Sequence, residues 1–138
     1  MDKTLAAKPT VAPGRSRAII VVLWVLEALL AIQFVIAGAS KLIGDQLMVD
    51  MFAAIGAGQW LRYLVGLAEI AGAVGLLIPA LSGLAALGLV ALMVGATVTN
   101  VFVLEADATM PIVFLLVAAL IAWGQWSRVT DLAVRLRR

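Results

Sequence analysis

The sequence contains neither cysteine nor histidine. Without cysteine there is no disulfide, no dithiol relay and no thiolate metal site. Without histidine the chain also lacks the usual axial haem ligand and the usual zinc ligand. Phosphate-binding loops and nucleophile–base motifs are missing as well. We therefore expect no metal site, no covalently bound cofactor and no self-contained redox centre, which leaves open whether the chain is an enzyme.

Charged residues are also scarce. They make up 13% of 138 positions, whereas hydrophobic residues make up 64%. Soluble domains carry about 25% charged and roughly 45–50% apolar residues. This composition indicates a membrane protein of one domain. The net charge of +2 is small and the basic residues lie mostly near the two ends of the chain, so we expect no nucleic-acid partner.

What the sequence has instead is four long apolar runs. A helix needs about 20 residues to cross the roughly 30 Å hydrocarbon core of a bilayer, and these runs approach that length. Between the first two runs, residues 45–55 place apolar side chains at helical spacing among aspartates. We therefore predict an all-α integral membrane protein, a bundle of four transmembrane helices with a short interfacial helix between helices one and two. The predicted spans are residues 18–39, 60–79, 84–104 and 110–126.

Lysine and arginine predict the orientation of this bundle. Eight of the ten basic residues fall within residues 1–17 and 127–138, and two fall in segments expected on the opposite side. By the positive-inside rule, both termini are then cytoplasmic. We expect residues 1–17 to form a flexible cytoplasmic tail, 18–126 the membrane domain and 127–138 a basic cytoplasmic tail.

The two exceptions, Lys41 and Arg62, adjoin predicted helix ends. There we expect their charged groups to extend to the lipid head groups as interfacial anchors. Alternatively, they are partners of the two carboxyls described next, because Lys41 shares a helix face with Glu27, Arg62 shares one with Glu69, and these two faces can converge. The preceding residues 37–39, AGA, also resemble a signal-peptidase site. However, the apolar run before them is longer than the roughly 7–15 residues of a signal-peptide core and contains Glu27, which favours a retained span.

Two carboxyl groups fall inside the predicted spans. At 1.5 Å per residue, Glu27 lies about 13–14 Å and Glu69 about 15 Å from the cytoplasmic edge, so both are expected near the bilayer midplane. A charge there costs at least about 2.5–3.5 kcal/mol, so each carboxyl must be protonated, paired or in contact with a polar cavity. One interpretation is a proton-linked or substrate-binding site. The other is a neutral carboxyl that is hydrogen-bonded between helices.

A second set of polar side chains lies in the first and third predicted spans. It consists of Gln33 in the first span and of Thr97 and Asn100 in the third. Amide and hydroxyl side chains of this kind can bind a quinone carbonyl or a small polar solute. They can equally hydrogen-bond a neighbouring helix or the backbone. The candidate buried polar site therefore consists of Glu69, Glu27, Asn100, Thr97 and Gln33.

Three stretches carry a family resemblance: FVIAGASKL at residues 34–42, FAAIG at 52–56 and GLAEIAGAVGLLIPALSGLAALGLVALMVGA at 66–96. Together they resemble the DoxX and DoxX-like proteins, which are small four-helix membrane proteins of bacteria and archaea. The family is named after a small membrane subunit associated with a thiosulfate:quinone oxidoreductase, and other members are linked with oxidative-stress systems. Relatives often carry a histidine near the end of the third helix, where this chain reads GATVTN at residues 95–100.

The resemblance implies a multi-pass protein of the bacterial inner (plasma) membrane, in contact with the lipid bilayer. It further implies a membrane component or anchor of a quinone-linked or oxidative-stress redox system. The chain would then be an accessory subunit of an oxidoreductase, with quinone as candidate ligand and a redox protein or a second copy of the chain as candidate partner. The alternative is a small oligomeric transporter or permeability factor that uses the midplane carboxyls.

Overall fold

The computed structural model describes residues 14–138, and all regular structure in that part of the chain is helical. The predicted all-α fold is thus confirmed. Residues 1–13 of the predicted N-terminal tail lie outside the described residues. The helices of the described part are α1 (Arg17–Ile43), α2 (Gln46–Ile55), α3 (Gln59–Leu77), α4 (Ser82–Phe102), α5 (Thr109–Gly124) and α6 (Trp126–Leu136).

The longest helix is α1. It begins after Ser16, whose Oγ accepts a hydrogen bond from the backbone N–H of Ile19 at 3.4 Å. It continues without a break through the AGA stretch at residues 37–39, and its 27 residues extend over about 40 Å. Gly44 ends the helix in the left-handed conformation (φ 75°), which glycine adopts without steric cost.

The predicted short helix is present as α2. Asp45 caps its first turn, because Oδ1 accepts a hydrogen bond from the N–H of Leu47 at 3.0 Å. Gly56 ends it with φ 78°. The apolar side of α2, with Phe52 buried (5% exposed), packs towards α1 and α3. The helical spacing of apolar residues in the sequence therefore reflects a real helix with one inward face.

Two glycines set the closest contact between α1 and α3. A Cβ on Gly38 would lie 2.8 Å from the carbonyl oxygen of Gly66, and a Cβ on Gly66 would lie 3.1 Å from that of Gly38. Further along, the carbonyl of Lys41 meets Arg62, so residue numbers rise on α1 as they fall on α3. The two helices are therefore antiparallel, and glycine allows their backbones to approach.

An apolar core fills the space between α1, α3, α4 and α5. Phe34 lies within it, and its ring centroid is 5.8 Å from that of Phe114 on α5, with the ring planes tilted. Leu76, Leu89 and Ile121 are buried in the same core. The outer sides of the helices carry many exposed leucine, isoleucine and valine side chains. Such apolar outer surfaces are typical of helices that contact lipid.

Three helices, α1, α3 and α4, are long and apolar enough to cross a membrane. The 16 residues of α5 extend over only about 24 Å. By length and composition, it qualifies as a candidate fourth span only together with α6, from which it is bent by 64°. The predicted span 110–126 is therefore broken at Gln125. Most of the basic segment that follows is helical, because its apolar residues Val129, Leu132 and Leu136 recur at helical spacing.

Candidate functional site: a cavity with a buried ion pair

A cavity of about 480 Å³ lies between α2 and the adjoining parts of α1, α3, α4 and α5; we call it the α2 cavity. Most of its wall is apolar. All four methionines of the described residues line it, namely Met48, Met51, Met93 and Met110. Methionine side chains are flexible and adapt to irregular shapes, so such a lining can accommodate an apolar ligand. The polar lining residues are Gln33, Lys41, Glu69, Thr99 and Asn100.

One wall of the α2 cavity is α2 itself. Met48, Met51, Phe52 and Ile55 are three or four residues apart, so they share the face of α2 that lines the cavity. A hydrogen bond from Gln59 Nε2 to the carbonyl oxygen of a residue in α2 (3.0 Å) ties this helix to the start of α3. The short helix thus covers the site with its apolar face.

Glu69 of α3 and Lys41 of α1 form an ion pair at the cavity wall. Lys41 Nζ lies 2.9 Å from Oε2 and donates a hydrogen bond to Oε1 at 3.1 Å. The side chains are 12% (Lys41) and 5% (Glu69) exposed. In a helix, side chains lean towards the N-terminus of their own helix. Because α1 and α3 are antiparallel, these two side chains lean towards each other.

Arg62 is a second buried cation close to this pair. It is 4% exposed, donates from Nη1 to the carbonyl oxygen of Lys41, and donates from Nε to Oε1 of Gln59 at 2.7 Å. Its guanidinium carbon also lies 4.3 Å from the centroid of the Tyr63 ring. The prediction that Lys41 and Arg62 extend outward as anchors is therefore wrong. Lys41 finds a carboxylate, and Arg62 satisfies a carbonyl in the last turn of α1, where carbonyls lack helical donors.

Glu27 lies away from the α2 cavity. Its Oε1 accepts a hydrogen bond from Nε2 of Gln125 at 2.6 Å, and both residues are buried. Since Gln125 occupies the break between α5 and α6, this bond ties α1 to that break. Gly66 lies opposite Gly38, so Glu69, three residues further along α3, lies opposite residue 35 of the antiparallel α1. Residue 35 is eight residues, or about 12 Å along the helix axis, from Glu27. The two carboxyls therefore occupy different levels, contrary to the nearly equal depths expected from the sequence.

The structure brings three of the five predicted site residues together. Glu69, Gln33 and Asn100 line the α2 cavity. Asn100 also donates from Nδ2 to a backbone carbonyl of the α4–α5 loop at 2.9 Å. Thr97 is absent from the cavity wall, and its Oγ1 donates to the carbonyl oxygen one turn earlier in α4 at 2.7 Å. Glu27 is absent from it as well, for the reason given above.

The predicted site left out Lys41 and the methionines. A signal for Lys41 was present in the sequence, because at 100° per residue it shares a helix face with Glu27, Phe34 and Gly38, and that face packs inward in the structure. The methionines gave no comparable signal. Their convergence depends on how α2 folds back over the other helices, which the local pattern does not determine.

A sequence model described as the DoxX-like family matches residues 25–122. This match covers most of the chain and extends beyond the stretches in which the resemblance was first seen. It includes Gln33, Lys41, Glu69 and Asn100. No curated protein and no solved structure matches the chain.

Proposed function

We propose, since this chain belongs to the DoxX-like family, that it is a membrane component of a quinone-linked or oxidative-stress redox system. Its own task in such a system would be to hold a quinone in the α2 cavity. The observation that carries this proposal is the buried pair of Lys41 and Glu69 in an otherwise apolar wall. Multi-pass membrane location follows from the family and from the apolar helices.

The ion pair supports a ligand site because burying it contributes little to stability. Removing two charges from water costs several kcal/mol, and apolar residues of similar size often replace such a pair without loss. Ionisable groups inside a membrane protein are more often functional than structural. The cavity volume of about 480 Å³ also falls in the range of small-molecule sites, which combine apolar walls with a few polar groups.

The polar groups can hold both forms of a quinone. The Lys41 ammonium can donate a hydrogen bond to a carbonyl oxygen, and a charged donor forms stronger hydrogen bonds than a neutral one. Oε2 of Glu69 contacts the ammonium but has no hydrogen bond of suitable geometry among residues 14–138, so it can accept one from a quinol hydroxyl. Gln33 lines the same space and can donate or accept. The apolar ring and chain would lie against the methionines.

The electrons would come from a redox partner protein, which makes this chain an accessory subunit. We further propose a bacterial inner-membrane location with both termini in the cytoplasm, supported by the eight basic residues near the two ends of the chain. The transporter hypothesis is less well supported. It needs both carboxyls on one transport route through the protein. Glu69 lines the α2 cavity, whereas Glu27 does not line it and lies about 12 Å away along the axis of α1.

Two glycines of α4 offer a matched test of the site. An added Cβ meets no atom within 4 Å at Gly95 or at Gly88, but Gly95 lines the α2 cavity and Gly88 does not. Gly95→Leu should fill part of the cavity, while Gly88→Leu should add the same side chain elsewhere. Binding of a decyl-substituted benzoquinone to purified protein in detergent is the measurement. We expect Gly95→Leu to weaken binding about tenfold, a typical cost of overpacking.

The control, Gly88→Leu, should bind the quinone like the original chain, because Gly88 does not line the α2 cavity. It is a matched control because both variants make the same change to helix propensity. Equal quinone affinities for Gly95→Leu and Gly88→Leu would show that the α2 cavity is not the binding site. Absence of binding by the original chain, when saturating quinone is present, would remove the proposed function altogether.

A further inference from the structure

A second cavity lies at the opposite end of α3, between α6 and the turn that joins α3 to α4. Its volume is about 220 Å³, and we call it the α6 cavity. Pro79 and Ala80 of the turn form one side. The other side belongs to α6 and carries three charged residues and a leucine: Arg128, Asp131, Leu132 and Arg135. None of these residues belongs to the proposed quinone site.

The charged residues of α6 share one face. At 100° per residue, Arg128, Asp131 and Arg135 fall within an arc of about 60°. Arg128 fixes this face against the turn, since its Nη1 donates to the carbonyl oxygen of Pro79 at 3.0 Å and to Oγ of Ser82 at 3.3 Å. The helix therefore presents its charges to a defined cavity.

Neither arginine has a carboxylate partner in the part of the chain that the structure describes. Within residues 14–138, Lys41 and Glu69 form the one ion pair with an N···O distance of 4.0 Å or less. Asp131 therefore forms no ion pair with Arg128 or Arg135, although it lies within one helical turn of each. Two guanidinium groups and one carboxylate give the wall of the α6 cavity a net charge of +1. A ligand with a single negative charge would complement it.

The position of the α6 cavity points to the lipid head groups. The 19 residues of α3 extend over about 28 Å, close to the thickness of the hydrocarbon core, and Pro79 comes just after the end of this helix. The turn therefore lies where lipid phosphates are found. The bend of 64° between α5 and α6 leaves Trp126 (54% exposed) and Leu136 (79% exposed) as apolar side chains for the interface.

We propose that the α6 cavity binds the head group of an anionic glycerophospholipid. The phosphodiester would lie between the guanidinium groups of Arg128 and Arg135, whose planar donors match phosphate oxygens. The Asp131 carboxylate would accept a hydrogen bond from a head-group hydroxyl, as phosphatidylglycerol provides. The site would tie the α5–α6 break to one membrane surface, whether or not the α2 cavity binds a quinone.

Native mass spectrometry of the full chain tests this proposal. The protein is reconstituted with equal amounts of phosphatidylglycerol and phosphatidylcholine, purified in mild detergent, and the retained lipids are counted. Arg135→Gln removes one positive charge from the cavity wall, whereas Arg138→Gln removes one charge from the same end of the chain but outside the wall. Arg135 is preferable to Arg128 for this test because it holds no backbone carbonyl in place.

We expect the original chain and Arg138→Gln to retain phosphatidylglycerol over phosphatidylcholine. Arg135→Gln should lose about tenfold in this preference, which corresponds to one charge-assisted hydrogen bond. Equal preferences in the two variants would overturn the proposal, because they would indicate general charge attraction. A preference for phosphatidylcholine, or displacement of the lipid by millimolar inorganic phosphate, would also overturn it, the latter by assigning the site to a soluble anion.

Discussion

Replacing Glu69 by glutamine should leave the ammonium group of Lys41 buried without a carboxylate partner. The amide keeps the size of the side chain but removes the only carboxylate within 4.0 Å of Lys41 among residues 14–138. Breaking a buried ion pair by removing one partner costs about 3–5 kcal/mol in free energy of unfolding. Because Lys41 retains 12% exposure and a flexible stem, we expect a loss near the lower end, about 3 kcal/mol.

A double-variant cycle separates this effect from simple loss of packing. Lys41→Met removes the cation and keeps a long apolar side chain, and the variant with both changes contains neither charge of the pair. Replacing a whole buried pair by apolar residues of similar size is often neutral or stabilising. The double variant should therefore be more stable than Glu69→Gln alone, with a remaining loss that reflects the unpaired amide of the glutamine. Unfolding by sodium dodecyl sulfate in mixed micelles, followed by far-UV circular dichroism, gives the free energies.

Glu27→Gln is the matched control for this cycle. It makes the same chemical change in another buried carboxyl, but the partner of Glu27 is the neutral amide of Gln125. No cation is stranded, so the loss should stay below about 1.5 kcal/mol, the value of an ordinary hydrogen bond. If Glu69→Gln costs no more than Glu27→Gln, or if the losses of the two single variants simply add, then Lys41 and Glu69 do not depend on each other.

Two further variants and one pH dependence test other parts of the structure. Gly38→Ala should destabilise the fold by roughly 1–3 kcal/mol, because its Cβ would lie 2.8 Å from a backbone oxygen of α3. Gly88→Ala should not destabilise it, and unfolding in mixed micelles compares the two variants. Arg62→Met should cost about 1–3 kcal/mol in the same assay, since a partly buried carbonyl of α1 loses its donor. The hydroxyl and then the N–H of Thr109 hold the pKa of Asp107 below its ordinary value of 3.8. This carboxylate should therefore stabilise the start of α5 above about pH 4 and cease to do so as the pH falls through its lowered pKa, which amide hydrogen exchange at Thr109 can follow.

Three results would contradict these expectations. Equal stabilities of the Gly38 and Gly88 variants would mean that α1 and α3 do not approach as closely as described. An Arg62→Met protein as stable as the original would mean that the carbonyl it serves has another donor. A protection factor at Thr109, corrected for the intrinsic pH dependence of exchange, that does not change between pH 6 and pH 3, or that changes equally in Asp107→Asn, would show that the carboxylate does not hold this turn.

The helices were predictable from sequence because their causes are local. Apolar runs of sufficient length, a capping aspartate at residue 45 and glycines at residues 44 and 56 indicate where α1 and α2 begin or end. The break after α5 was missed because only Gly124 and Gln125 interrupt the apolar residues between Trp123 and Trp126. Its cause lies elsewhere in the chain, in the bond between Gln125 and Glu27 and in the bonds that Arg128 makes to the α3–α4 turn.

The candidate site was only partly predictable for a similar reason. Glu69 was identifiable, because a carboxyl in an apolar run needs a partner or a cavity. Lys41 as its partner was only the less favoured alternative, because the usual behaviour of a lysine near a helix end is to extend to the membrane surface. The inward direction of Lys41 results from the close, antiparallel contact at Gly38 and Gly66. That contact depends on tertiary packing, as does the placement of α2 over the cavity.

Photoaffinity labelling tests most directly whether a quinone binds between α2 and the ion pair. The full chain in proteoliposomes is irradiated with an azidoquinone, with and without excess unlabelled quinone, and the modified residues are identified by peptide mass spectrometry. We predict labelling that the competitor suppresses at residues lining the α2 cavity, such as Met51 and Phe114. Labelling confined to outward-facing residues such as Leu29 and Ile32, and unaffected by the competitor, would contradict a quinone site in this cavity.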